Sequence, residues 1–182
     1  MQIETNILQL IREESTKESA FRKLVDTYGN RLYWHIRRIV VGHDDAEDVL
    51  QDSLIKVYAA IGDFNGDESQ LQSWLYRIAT NESLQLLRKK KHFFQSIDDL
   101  SPALTATLVA ENAVNLHSAE MELHKAVLSL PTTQRLVFNM RYYDDLSYEE
   151  IAAVTGKSIN TLKTNYHLAS KTIQKHIKDI SI

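Results

Sequence analysis

The side chains that could do chemistry in this chain suit the gripping of charged surfaces rather than the making or breaking of bonds. Asp48, Gln51, Asp52 and Ile55 recur at steps of three and four, the spacing that places residues on one face of a helix. Carboxylates around an exposed isoleucine would meet arginines of a protein partner. The plainer reading is a solvated face, its acids complementing the helix dipole. Trp74, Arg77, Asn81, Gln85 and Arg88 form a second row that runs into Lys89, Lys90 and Lys91. A planar aromatic stacks on unpaired bases, contributing about 1–3 kcal/mol per base, while Arg and Lys hold phosphates. A tryptophan at this spacing is also an ordinary core residue. The third row is Asn160, Thr161, Lys163, Thr164, His167, Ser170 and Lys171. Thr and Asn contact base edges and Lys pairs with phosphate, although a plain amphipathic helix has the same polar face.

Catalytic constellations are missing by comparison. The histidines are scattered (His35, His43, His92, His117, His124, His167 and His176), with no H-E-x-x-H, no glycine-rich phosphate loop and no G-x-S-x-G. No cysteine is present, which excludes disulfides, thiolate nucleophiles and Cys-zinc sites. The expectation is a protein that is not an enzyme, with no catalytic residue, no metal ligands and no cofactor. A helical metal-dependent hydrolase is the competing reading, and bound stoichiometric metal would revive it.

Helices must position the three rows. Residues 5–14 and 16–28 read as helices, the second with Phe21, Leu24, Val25 and Tyr28 as its apolar stripe. Gly29 marks a break or kink, and Leu32, Trp34, Ile36, Ile39 and Val40 continue as another helical segment. Asp44 is placed to cap the next helix, 45–62, whose inner face holds Ala46, Val49, Leu50, Leu54, Val57, Tyr58 and Ile61. Residues 64–69 read as a loop and 70–91 as a long helix. Residues 92–117 carry acids but no Lys or Arg and show no clean period, which reads as a linker. Helices resume at 118–129, and Pro131 opens another in its favoured first-turn position.

The C-terminal pattern is the most specific. Ser147 and Glu150 form an S-x-x-E capping box, with Leu146 and Ile151 closing a hydrophobic staple around it. Gly156 supplies a left-handed helix end and Ser158 the next cap. The helix from Ser158 to Lys178 then turns Leu162, Tyr166, Ala169, Ile173 and Ile177 inward. Such a helix-turn-helix fits its second helix into a DNA major groove.

Bulk properties agree. The chain has 182 residues, 43% hydrophobic and 25% charged, with only five glycines and two prolines, which favours helices over a turn-rich β fold. The net charge of −3 hides a segregated pattern. Residues 44–70 hold eight acids against Lys56, whereas residues 71–92 and 156–182 each hold five Lys or Arg against one acid. Such segregation suits an acidic face for a basic protein and two faces for nucleic acid. With no apolar run long enough for a bilayer and no signal-peptide pattern, a cytoplasmic protein without membrane insertion is expected. The fold class expected is all-α: two small helical domains, 1–91 and 118–182, joined by a flexible linker, 92–117, the second ending in the helix-turn-helix.

Taken together these stretches resemble bacterial sigma factors of the extracytoplasmic-function (group IV) type. Asp45-Ala46-Glu47-Asp48-Val49-Leu50-Gln51-Asp52-Ser53 is similar to that family's polymerase-docking helix. Trp74-Leu75-Tyr76-Arg77-Ile78-Ala79-Thr80-Asn81-Glu82, with Arg88-Lys89-Lys90-Lys91, is similar to its reader of the promoter −10 element. Leu130-Pro131, Arg135-Leu136-Val137-Phe138, Arg141-Tyr142, Leu146 to Ala152 and Thr161-Leu162-Lys163 are similar to its −35 reader. The resemblance implies a promoter-specificity subunit of RNA polymerase with no catalysis of its own. It implies that Asp48, Gln51, Asp52 and Ile55 dock on the β′ coiled coil of the core enzyme. Trp74, Arg77, Asn81, Arg88, Lys89 and Lys90, with the loop Phe64–Leu71, would open and hold the −10 element. Asn160, Thr161, Lys163, Thr164, His167 and Lys171 would read the −35 major groove. An anti-sigma factor is a further partner implied. Asn165, Leu168 and Ser170 stand where many relatives carry arginine, so weak DNA binding by the isolated C-terminal domain is expected. The competing regulator reading is a dimeric helix-turn-helix protein that binds palindromic duplex DNA without polymerase.

Overall fold

The computed structural model describes residues 7–12, 17–93 and 118–180. Among them the secondary structure is helical, with no strand. Backbone contacts divide the chain into two compact units, Met1–Leu86 and Leu87–Ile182. Most of the expected linker lies outside the described residues; His92 and Phe93 continue the preceding helix.

The first unit holds α1 (Ile7–Arg12), α2 (Lys17–Val40), α3 (His43–Ala60), a 3-10 turn (Ile61–Asp63) and most of α4 (Glu68–Phe93). α2 runs straight through Gly29, contrary to the expected break. Glycine costs about 1 kcal/mol in a helix interior, and burial of Leu24, Leu32 and Ile36 on either side outweighs it. Trp34 is not part of that apolar core; half its surface is exposed. The turn into α3 is tight: Gly42 N donates to Val40 O at 3.0 Å while Val41 between them adopts φ 76. A β-branched residue there is strained by about 1–3 kcal/mol, and burial of Val41 holds it in place. That turn makes Gly42 the helix cap, without a side-chain bond, so Asp44 falls in the first turn and is not the cap expected.

α4 starts two residues earlier than expected. Asp67 Oδ1 accepts from Gln70 N at 3.0 Å and Ser69 Oγ at 2.6 Å, and Gln70 Oε1 returns to Asp67 N at 3.3 Å. This reciprocal cap satisfies the open amides of the first turn. Glu68 Oε1 accepts from Leu8 N at 3.3 Å, tying α1 to α4. Further along, His35 of α2 meets Thr80 of α4 (Nε2 to Oγ1, 2.9 Å) and packs edge-on to the Tyr76 ring at 4.8 Å. All three are buried. On the other flank, Lys56 Nζ of α3 lies 2.6 Å from Glu82 Oε2 of α4.

The second unit contains α5 (Ser118–Leu128), α6 (Thr132–Tyr142), α7 (Tyr148–Thr155) and α8 (Ile159–Ile180). Pro131 is extended (φ −52, ψ 142) and sits at the cap of α6, one position ahead of the expected first-turn site. Its carbonyl accepts from Arg135 N at 2.9 Å. Ala126, Val127, Leu130, Phe138, Ala169 and Ile173 form the core, with Tyr166 stacked on Phe138 at 5.8 Å. Ile177, expected inside, is exposed, because the core cluster along α8 ends at Ile173. Arg135 donates to Leu128 O at 3.3 Å, capping the end of α5, and burial holds its guanidinium below the usual arginine value.

Candidate nucleic-acid and protein interfaces

The acidic row on α3 points to solvent. Asp48, Gln51 and Asp52 are exposed, and Ile55 keeps 60% of its surface open. The two carboxylates make no hydrogen bond or ion pair among the described residues. Beside this row is an open apolar slot of about 470 Å³ between α2 and α3, whose walls include Phe21, Tyr33, Leu50, Leu54 and Tyr58. Periodicity assigned Leu50, Leu54 and Tyr58 to the inner face of α3. Instead Tyr58 is exposed and the two leucines half-buried, because no described helix covers that side. Phe21 packs edge-on to Tyr58 at 5.0 Å, and Tyr33 OH is hydrogen-bonded to His43 Nδ1 at 2.8 Å. A carboxylate row flanking an unfilled apolar slot matches an amphipathic basic helix.

The α4 row also faces outward. Arg77, Asn81, Gln85, Arg88 and Lys89 are exposed, Lys90 and Trp74 half-buried. Trp74 leans on Phe64 of the preceding loop, ring centroids 5.0 Å apart and tilted 43°. Gly66 permits that approach, since a Cβ there would collide with Phe64 Cζ and come within 2.8 Å of Gln70 Oε1. Phe64 and Trp74 thus make a two-ring platform at the head of a polar and cationic row. The hydrogen bond from Ser69, followed by that from Gln70, holds the nearby Asp67 carboxyl below its ordinary value.

In the second unit the capping box is present: Ser147 Oγ accepts from Glu150 N at 3.2 Å, and Glu150 Oε2 from Ser147 N at 2.7 Å. Leu146 and Ile151 are both fully buried around it. Gly156 is left-handed (φ 69, ψ 12), and Ser158 Oγ accepts from Thr161 N at 3.2 Å. Leu162, fully buried, anchors α8 against this unit; removing such a leucine side chain costs about 2–5 kcal/mol. Asn160, Thr161, Lys163, Thr164, His167 and Lys171 are exposed. Asn160, Thr164, His167 and Lys171 share one ridge at steps of four, three and four. Thr164 Oγ1 donates to Asn160 O at 2.9 Å, leaving its methyl and lone pairs outward. Lys163 Nζ lies 5.7 Å from the centre of the Tyr148 ring, and the Arg141 guanidinium 5.8 Å from it. No acid occurs between Gly156 and Lys178.

The Sigma-70 region 2 family model matches residues 24–93, and the Sigma-70, region 4 model residues 120–173. The RNA polymerase sigma-H factor of Pseudomonas aeruginosa is 30% identical over 178 residues, covering 93% of this chain and 92% of that protein. The ECF RNA polymerase sigma factor SigW of Bacillus subtilis is 28% identical, covering 90% and 91%. This chain belongs to the extracytoplasmic-function sigma factors. The co-crystal structure of the sigma factor RpoE with the anti-sigma factor NepR from Bartonella quintana superposes with a TM-score of 0.69 at 25% identity. It covers 87% of this chain and 96% of that one.

For this sigma factor, the region 2 match spans the α3 and α4 rows, and the region 4 match spans α7 and the polar ridge of α8. Apart from the half-buried Trp74 and Lys90, the described sequence-selected contact residues of α3, α4 and α8 are exposed, on three separate helix faces. Sequence reasoning included Phe64 only as the start of the −10 loop and missed its packing on Trp74, the α2–α3 slot and the outward position of Trp34. Phe64 lies just ahead of a glycine and a helix cap, a signal for a held loop. The slot had none, since a helical wheel gives a direction but not whether a neighbour lies there. Among the described residues no His, Asp or Glu group is gathered to hold a metal, and no helix is long and apolar enough to cross a membrane.

Proposed function

We propose that this sigma factor docks on core RNA polymerase through Asp48, Gln51, Asp52 and Ile55 of α3, the partner surface being the β′ coiled coil. Trp74, Arg77 and Asn81, with the Phe64 loop and the basic run Arg88, Lys89 and Lys90, open and hold the promoter −10 element. Asn160, Thr161, Lys163, Thr164, His167 and Lys171 read the −35 major groove. The two units, residues 1–91 and 118–182 with a linker between them, act as separate readers. The observation that carries this reading is the division of labour within one unit. An unpaired, exposed carboxylate row on α3 and a row on α4 of a half-buried tryptophan with an exposed arginine and asparagine occur in one unit, whose α3 and α4 are joined by the Lys56–Glu82 contact. Carboxylates repel the DNA backbone, so the α3 row suits a protein, whereas stacking rings beside arginines suit unpaired bases.

An anti-sigma factor is a further partner in this reading, supported by the RpoE–NepR likeness and by the open slot beside Ile55. The chain supplies no catalytic chemistry; the polymerase supplies it. The deciding experiment is run-off transcription with purified chain and core polymerase on genomic fragments. Transcripts from a restricted set of promoters are expected. Operator binding without core, together with failure to bind core, would instead indicate the dimeric regulator.

A further inference from the structure

We infer that Trp34 is a second base-stacking station, on the same face of the first unit as the Trp74 row, for the unpaired strand of an opened promoter. The inference rests on the −10 role given to α4 above and adds a residue from α2.

α2 and α4 run parallel. The charge of Glu68, at the start of α4, is felt at Tyr28 in the middle of α2, and two to three turns further on His35 reaches Tyr76 and Thr80. His35 therefore marks the edge of α2 that faces α4, and Tyr76 and Thr80 mark the reciprocal edge. At about 100° per residue, Trp34 lies about 100° from its edge in one rotational sense. The row Trp74, Arg77 and Asn81 lies about 110° from its edge in the opposite sense. Opposite rotations on parallel neighbours bring both to one side of the helix pair. Glu82, rotated away from that row, takes Lys56 of α3 on the far side.

The chemistry of this ridge is that of the α4 row. Trp34 is half exposed, its ring supported edge-on by Tyr33 at 5.3 Å. Arg31 and Arg38, three residues before and four after, fall between Trp34 and the α4 edge. From Thr27 to His43 the chain carries no acid. A flat ring with arginines beside it, in a tract of one sign, is complementary to unpaired bases and their phosphates. Packed helices lie about 8–10 Å apart, so a short single strand crossing α4 reaches the adjoining ridge.

The test uses full-length chain assembled with core polymerase and two DNAs, a fork with an unpaired non-template strand and the same promoter as full duplex. Trp34→Ala is expected to weaken fork binding about tenfold, with core affinity and duplex binding unchanged. Trp34→Phe, which keeps a flat ring, should stay within threefold. Arg31→Ala should lower the salt slope of fork binding by about one. 5-Iodouracil in the unpaired strand should photocrosslink to Trp34. If Trp34→Ala leaves fork affinity unchanged while Trp74→Ala weakens it, the second station is wrong and the α4 role stands. If neither weakens it, the α4 role fails as well. A loss of core affinity in Trp34→Ala would make this ridge a protein contact and overturn the inference.

Discussion

Reversing the charge of the α3 row, with Asp48→Arg and Asp52→Arg together, separates docking from folding. Both side chains are exposed and make no hydrogen bond or ion pair among the described residues, so no buried partner is left behind. They stand four apart on one helix face, a like-charge pair before and after the change, worth a few tenths of a kcal/mol either way. Asp48 lies beyond the first turn of α3, where the helix dipole has largely decayed. Stability should therefore move by no more than about 0.5 kcal/mol. Association is another matter. An exposed ion pair contributes about 0.2–1 kcal/mol, and more as the interface dries. Each reversal removes one such attraction and adds a repulsion of similar size. Two reversals give about 1–4 kcal/mol, roughly 5- to 1000-fold in Kd. The assay is fluorescence anisotropy of labelled chain titrated with core polymerase, with circular dichroism as the check on fold. The loss should shrink as salt rises. A double variant that binds core within threefold of wild type, with its helix content intact, would refute the docking face.

Three more outcomes follow from particular residues. Gly29→Ala adds a methyl only 3.5 Å from Val25 Cγ1, an ordinary contact, inside an unbroken helix. It should stabilise the first unit by about 0.5–1 kcal/mol, raising Tm by a few degrees, and a fall in Tm would show that the site is crowded. Lys163→Ala should weaken promoter binding and lower the salt slope by about one, measured by filter binding across a salt series; an unchanged slope would mean that Lys163 touches no phosphate. The Asp67 carboxyl is held low in the folded chain, so its cap contribution is complete above the ordinary aspartate range. That contribution is lost as pH falls through the depressed folded value. An NMR titration should find its midpoint below that of an unstructured aspartate, and a normal midpoint would deny the cap.

The parts of this fold legible in the sequence were those decided within a few residues. Ser147 with Glu150, Gly156 and Ser158 make their bonds inside one turn, and they fall where the spacing put them. The α4 row was legible because a period of three and four is a local property. What escaped depends on distant neighbours. Gly29 breaks nothing because apolar residues on both sides of it are buried. Asp44 loses the cap to Gly42 because Val41 accepts a strained φ, which nothing nearby in the sequence signals. Leu50, Leu54 and Tyr58 looked like core because they are apolar and periodic, yet a buried stripe needs a facing element. For Leu50, Leu54 and Tyr58 the uncovered side is the slot beside the docking row.

The claim on which the rest depends is that the α4 row holds opened DNA rather than duplex. Run-off transcription by core polymerase with Trp74→Ala, on matched duplex and on the same promoter with its −10 segment already mismatched open, tests it most directly. A deficit of tenfold or more on duplex, largely restored on the mismatched template, is the predicted result. Equal output from wild type and Trp74→Ala on duplex would contradict it.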